Sequence, residues 1–429
     1  YYKVFVRGGA NLNPEDKEKL KAINSEISLL TIQFSENVLS ENNTFELVIE
    51  NKEDLAGLPE DVIAAGAEDA KAKGKEGKWI YTLQKPSIIP FLQYSEKREL
   101  REKIYKAYYG KGNNNDERDN KETLKKIVNL RLQKANLLGF KTYADYILDN
   151  NMAKTPANVY DLLNKLWVPA LKVAKEEAAD MQNMINDEGG NFTLEAWDWW
   201  YYSEKVKKAK YDLDETQLTP YFKIENVVDG VFSLSSKLFG ITFEERFDIP
   251  KYHPDVRTFE LKENDGTHIG ILFTDYYPRD SKRGGAWMDA FRPQYKVDGK
   301  MVTPVIYNVG NFTKPTADKP SLLTVDNVLT LFHEFGHAIH GLLSNCTYPS
   351  LSGTNTPQDF VEFPSQVMEN WAMEPSILKT YAKHYLTGET IPDELIEKIQ
   401  KSGKFNQGFA TVEYLAAALL DMDYHIITE

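Results

Sequence analysis

Apolar residues recur every three to five positions along most of the chain, the spacing that keeps one face of an α-helix apolar. Between residues 11 and 40 they fall at Leu20, Ile23, Ile27, Leu30, Phe34 and Leu39, with Pro14 suited to a first helical turn. Shorter helices are predicted over Pro59–Lys73 and Ser95–Tyr109, and the polar run Lys111–Asn120 reads as a solvated connection. The helical pattern resumes from Lys121 to Leu138, where Gly139 is placed like a C-cap. Over Lys154–Met184, Thr155 is the expected N-cap, Pro156 fits the first helical position, and Pro169 is expected to kink the helix. The aromatic run Ala196–Tyr202 reads as core, since large rings at helical spacing bury more area than any other side chains. Tyr221–Gly240 is one further helix, ending at its glycine.

Between Val256 and Phe312 the period shortens toward two, which predicts strands. Val256–Glu263 alternates, Asn264-Asp265-Gly266 is a turn, and His268–Phe273 returns, so a hairpin is expected, with a third strand over Thr303–Phe312. Ser281–Trp287 carries two glycines and two cations and is expected to form a mobile or closely approached loop. Helix returns at Val325–Leu343, Thr356–Met373, Pro375–Ser402 and Gln407–Glu429. The fold expected is mainly α, with a mostly helical region over residues 1–250 and a second region over 251–429 that holds a small sheet and the Val325 helix.

That helix carries the chemistry. In VDNVLTLFHEFGHAIHGLL the apolar positions Val328, Leu331, Phe332, Phe335, Ala338, Ile339 and Leu342 keep helical spacing, and Thr324 is placed as N-cap. His333 and His337 stand one turn apart on one face, so two imidazole nitrogens can meet one tetrahedral zinc ion, and Glu334 can reach the same ion's water as a general base. With seven histidines in 429 residues a chance HExxH is rare. A catalytic zinc takes a third protein ligand and leaves one position open. Leu343 occupies the place where a metzincin would have its third histidine, and His340 lies a further turn along, where it is better read as a packing residue or a support for a ligand. An acid from another helix remains. The segment Thr356–Met373 is expected to open with Thr356 as N-cap and Asp359 as a capping acid, which leaves Glu362 as the third ligand. Gln366 or Glu369, on the same face, could accept the free N–H of a ligating histidine and fix its tautomer.

Composition narrows the partners. Hydrophobic residues make up 42% and charged residues 27%, as in soluble globular proteins, and no apolar run approaches the roughly 20 residues of a membrane span. A net charge of −13 disfavours nucleic acid and anionic membrane, leaving short peptides or other small substrates, and the expected state is monomeric. Cys346 is the only cysteine, so neither an intramolecular disulfide nor a thiolate cluster can form. The stretch from Tyr1 has no basic segment followed by an apolar one, so no signal peptide is expected within it, and the compartment stays open between cytoplasm and periplasm.

HEFGHAIH followed by SGTNTPQDFVEFPSQVMENWAMEP resembles the active-site region of the thimet oligopeptidase family of zinc metallopeptidases, with Glu362 at the family's spacing from His333. DYYPRDSKRGGAWMDAF and FATVEYLAAALLDMDYH are more similar to its peptidyl-dipeptidase branch than to the oligopeptidases. The resemblance implies a multi-helix zincin-type enzyme with one Zn²⁺ beside a small sheet, in a deep channel that admits short peptides and releases C-terminal dipeptides. It also implies that a strand edge near the zinc pairs with the peptide, with Val309, Gly310, Asn311 and Phe312 as the counterpart here, and Arg283 or Lys282 is a candidate for the peptide's carboxylate. The family's transition-state tyrosine and histidine are expected beyond residue 429, as if the chain were a fragment shortened at both ends. An oligoendopeptidase of the same family, or a noncatalytic zinc-stabilised peptide-binding fragment, are the alternatives; an intact Glu334 speaks against the latter, because a structural site needs no base.

Overall fold

In the computed structural model, which describes residues 1–213, 215–316 and 318–429, most of the chain is helical and its main sheet lies between residues 241 and 309. The first long helix, Pro14–Thr44, starts where Asn13 accepts a bond from the Asp16 amide. Pro156–Asp187 is likewise capped by Thr155, and it continues through Pro169 without ending. The expected kink is therefore not a break: one proline removes one backbone bond, and packing against the C-terminal helix Gln407–His425, through Leu163, Leu415 and Met422, holds the remaining turns together. The Ala196–Tyr202 run is core in part, with Tyr202 buried and Trp199 and Tyr201 packed around it. The helix expected over Tyr221–Gly240 spans Ile224–Phe239 and ends at Gly240 in the left-handed conformation.

Two small strands, β1 (Leu47–Ile49) and β2 (Trp79–Tyr81), form an antiparallel pair on their own. The main sheet holds β3 (Ile241–Glu245), β4 (Arg257–Glu263), β5 (His268–Asp275), β6 (Trp287–Arg292) and β9 (Val305–Val309), in the order β3-β4-β5-β9-β6. A separate hairpin, β7 (Tyr295–Val297) and β8 (Lys300–Val302), lies within the connection from β6 to β9. The β4–β5 hairpin is the expected one, whereas β9 runs parallel to β5, and β6 then pairs antiparallel with β9, Trp287 opposite Val309.

This order corrects the expected peptide-binding edge. Val309 lies in an inner strand with a neighbour on each side, and the outer strand is β6, which begins at the end of the glycine loop. Past β9, Gly310 N and Phe312 N are already committed, donating to the Asp275 and Tyr276 carbonyls.

The largest core runs from Leu213 to Ile399, across residue 250. At its centre the histidine helix, Val325–Leu342, buries Val328, Leu331, Phe332, Phe335, Ala338 and Leu342 against Val227 and Val231 of the Ile224–Phe239 helix and against Leu272 and Ile306 of the sheet. Each of the buried Val, Leu and Phe side chains contributes about 1.5–3 kcal/mol, which fixes the helix against its neighbours.

The helix expected from Thr356 starts seven residues later. Residues 358–362 form turns, and the helix runs Phe363–Ala372. Pro364 explains the difference: in the interior of a longer helix its ring would clash with the Phe360 carbonyl and it would have no N–H to give, while in the first turn it costs nothing. Asp359 accordingly caps no helix of its own and accepts bonds from the Met152 and Ala153 amides instead.

Candidate metal centre

Thr324 caps the histidine helix by accepting from Asn327 N, and the buried apolar stripe turns residues 333 and 337 toward the helix that follows. The two imidazole rings stand 4.9 Å apart, centre to centre, and nearly perpendicular. Gly336, between them, is what lets the next helix approach: a Cβ there would lie 2.6 Å from Ser365 Cα and 2.9 Å from the Pro364 carbonyl oxygen. This close approach delivers Glu362, one residue before that helix begins, to the histidine pair.

Glu362 Oε2 lies 3.1 Å from His333 Nε2 and 3.0 Å from His337 Nε2. Two ligands each 2.0–2.1 Å from a tetrahedral zinc would be about 3.3 Å apart, so the spacing suits a shared ion. The donor chemistry points the same way. His333 Nδ1 is 2.6 Å from Glu369 Oε1, and a carboxylate only accepts, so the ring's proton sits on Nδ1. In the neutral ring Nε2 is then bare and faces another carboxylate oxygen, two acceptors that a cation between them would reconcile. Among the described residues, His333, His337 and Glu362 are the group that could hold a metal ion.

Glu334 is buried on the same helix, and its Oε2 has no hydrogen-bond partner among the described residues. Burial pushes its carboxyl up to about 7, against the opposing influence of His333 and with a smaller push from Glu362. Burial also lowers His337 below the ordinary imidazole value, although Glu362 opposes it, and lowers His340. An imidazole kept neutral is one ready to ligate.

Of the two candidates for holding a histidine, the structure brings Glu369 to His333 and leaves Gln366 exposed. His340 stands outside the candidate ligand group, with Nδ1 buried and without a hydrogen-bond partner among the described residues. Lys282 is consumed within the protein: its ammonium bonds to Asp275 Oδ1 at 3.1 Å and to the Asp275, Tyr277 and Gly310 carbonyls. Arg283 remains exposed, stacked over Trp287.

Three residues that sequence reasoning passed over support the centre. Ser365 Oγ, fully buried, lies 2.9 Å from both the Glu362 backbone oxygen and Oε2, which orients the carboxylate. Asn308, also fully buried, donates from Nδ2 to the Glu334 carbonyl at 2.7 Å and ties β9 to the histidine helix. Gly336 is the third. The glycine inside HEFGH was the one visible signal, since an interior helical glycine usually marks a close approach.

Comparison with known sequences places these residues in a wider group. The chain is 44% identical to the dipeptidyl carboxypeptidase of Escherichia coli (strain K12) over 429 residues, 100% of this chain and 63% of that protein. It is 38% identical over 427 residues to oligopeptidase A of the same organism, covering 98% of this chain and 63% of the relative. Saccharolysin of Saccharomyces cerevisiae is 30% identical over 441 residues, covering 99% of this chain and 61% of the relative. The chain thus spans under two thirds of the length of these relatives. The sequence model of peptidase family M3 matches residues 91–429, which include β6, the histidine helix, Glu362 and Glu369, and the chain belongs to that family.

Proposed function

We propose that this chain is the metal- and base-bearing part of a zinc metallopeptidase that hydrolyses short peptides and releases C-terminal dipeptides. The observation that carries the reading is the convergence of His333 Nε2, His337 Nε2 and Glu362 Oε2 beside a buried glutamate. The 44% identity to a dipeptidyl carboxypeptidase supports the dipeptide-releasing mode over the internal cleavage of an oligopeptidase.

When bound, a zinc ion supplies a Lewis acid that polarises a carbonyl and acidifies water. His333 and His337 hold it through Nε2 and Glu362 through Oε2, while Glu369 keeps the His333 proton on Nδ1 and Ser365 fixes the Glu362 carboxylate. Glu334 takes a proton from the attacking water and returns it to the departing amine. The outer strand β6, which packs beside the histidine helix, offers its free backbone edge to an extended peptide. No helix among the described residues is long and apolar enough to cross a membrane.

Product analysis tests the reading. The purified protein, loaded with one equivalent of zinc and given a pentapeptide with a free C-terminus, is expected to release its last two residues as a dipeptide, and a chelator is expected to stop the reaction. Cleavage at internal bonds alone would favour the oligopeptidase mode; tight zinc binding without hydrolysis would favour a peptide-binding role.

A further inference from the structure

A cavity of about 410 Å³ opens between the Pro14–Thr44 helix, the segment at residues 83–85, Tyr108 and Lys111, and the loop that leads into β6. That volume lies in the usual range for small-ligand pockets. Its charge is one-sided. Lys85, Lys111, Lys282 and Arg283 line it and no aspartate or glutamate does, among the described residues, in a chain whose net charge is −13. Lys282 is spent on Asp275 and three carbonyls, whereas no ion pair among the described residues engages Lys85, Lys111 or Arg283. The Lys111 ammonium rests over the Tyr108 ring, 3.9 Å from its centre. The acid that acts on it, Glu41, is not among the residues lining the cavity and accepts a bond from Asn114. Burial lowers Lys111, and although Glu41 opposes this, the charge of Lys85 adds to it, so an arriving anion would relieve an existing cost. Apolar walls from Phe34, Leu39 and Leu83 leave room for a hydrocarbon body beneath the charges.

The floor of this cavity is the approach to β6. Asn311 Nδ2 donates to the Arg283 and Gly285 carbonyls at 3.1 and 2.6 Å, holding the loop in place. Gly285 adopts φ +91°, and a Cβ at Gly284 or Gly285 would meet nothing within 4 Å, so the loop faces open space. A peptide adding to β6 in the antiparallel sense, the more stable pairing, carries its C-terminal end past Trp287 toward Gly285 and into the cavity.

We propose that this cavity receives the C-terminal carboxylate of the peptide laid along β6, with Lys111 and Arg283 as its cationic partners and Lys85 beside them. The assignment rests on the metallopeptidase reading for the peptide's path, and it makes these cations determinants of specificity that stand apart from the metal ligands.

The test is equilibrium binding of an N-terminally labelled tetrapeptide, as free acid and as C-terminal amide, followed by fluorescence anisotropy. The wild-type protein should prefer the acid by about tenfold, as expected for one or two charge-assisted bonds. The double variant Lys111→Gln/Arg283→Gln should bind acid and amide alike at the wild-type affinity for the amide, and Lys111→Arg/Arg283→Lys should restore the preference. A wild-type protein that ignores the carboxylate, or a double variant that keeps the preference or loses both ligands equally, overturns the proposal. Hydrolysis measured on the same samples separates the two readings: acid preference lost in the variant without any hydrolysis sinks the peptidase and keeps the cavity, while zinc-dependent hydrolysis with the preference intact in the variant does the reverse.

Discussion

His333 Nδ1 and Glu369 Oε1 lie 2.6 Å apart, joining the histidine helix to the helix that follows it. The contact fixes which ring nitrogen is protonated and so which one can ligate. Glu369→Ala should weaken zinc binding about 10- to 100-fold, measured by competition with a chromophoric chelator. An unchanged affinity would show that the ring is held by packing alone.

Gly336 sets how near those two helices come. In Gly336→Ala the new methyl meets Ser365 Cα and the Pro364 carbonyl, both backbone, so the second helix must move away and take Glu362 with it. Thermal or denaturant unfolding should register a loss of about 1–3 kcal/mol, with zinc affinity falling in parallel. Full stability with full zinc affinity would contradict this account of the approach.

Glu334→Gln replaces a buried carboxylate with an amide of the same shape. The variant should bind one zinc as the wild type does and lose about 10²- to 10⁴-fold in kcat. Peptide hydrolysis at the wild-type rate would remove Glu334 from the mechanism.

Asp275 closes β5 with a buried cluster, bonded to Arg279 through both oxygens at 2.8 Å, to Lys282 at 3.1 Å and to the Tyr252 hydroxyl at 3.0 Å. Burial alone would raise its carboxyl, but the Arg279 bonds and the Lys282 charge outweigh that and hold it below the ordinary aspartate range. A lowered folded-state value means the stabilisation is complete above the unfolded-state value, about 3.9, and is lost as pH falls through the folded one. Asp275→Asn should therefore be about 3–5 kcal/mol less stable near neutrality, a gap that narrows below about pH 4 in denaturant titrations. A gap independent of pH would refute the ionised cluster.

Local rules made the histidine helix legible. Its N-cap at Thr324, the buried stripe from Val328 to Leu342 and the four-residue spacing of His333 and His337 are all consequences of sequence periodicity, as are the β4–β5 hairpin and the helix that ends at Gly240. The start at Phe363 was also written in the chain, in Pro364, but the N-cap signal at Thr356 competed with it. Neither β3 nor β6 announced itself: β3 alternates but over only five residues, directly after a helix, and β6 shows mixed burial with little alternation.

Sequence by itself determined the residue types of the candidate centre, the spacing of its two histidines on one helix and the resemblance to the family. Only the tertiary structure decided that β6, and not Val309 in β9, is the outer strand on that side of the sheet, that Lys282 is spent inside the protein while Arg283 stays open, and that Ser365 and Asn308 steady the candidate centre. The reason is physical: helical faces and caps follow from residues within a few positions of one another. Strand order, the fate of a buried charge and the approach of two helices at Gly336 depend on residues far apart in sequence, whose meeting no local pattern encodes.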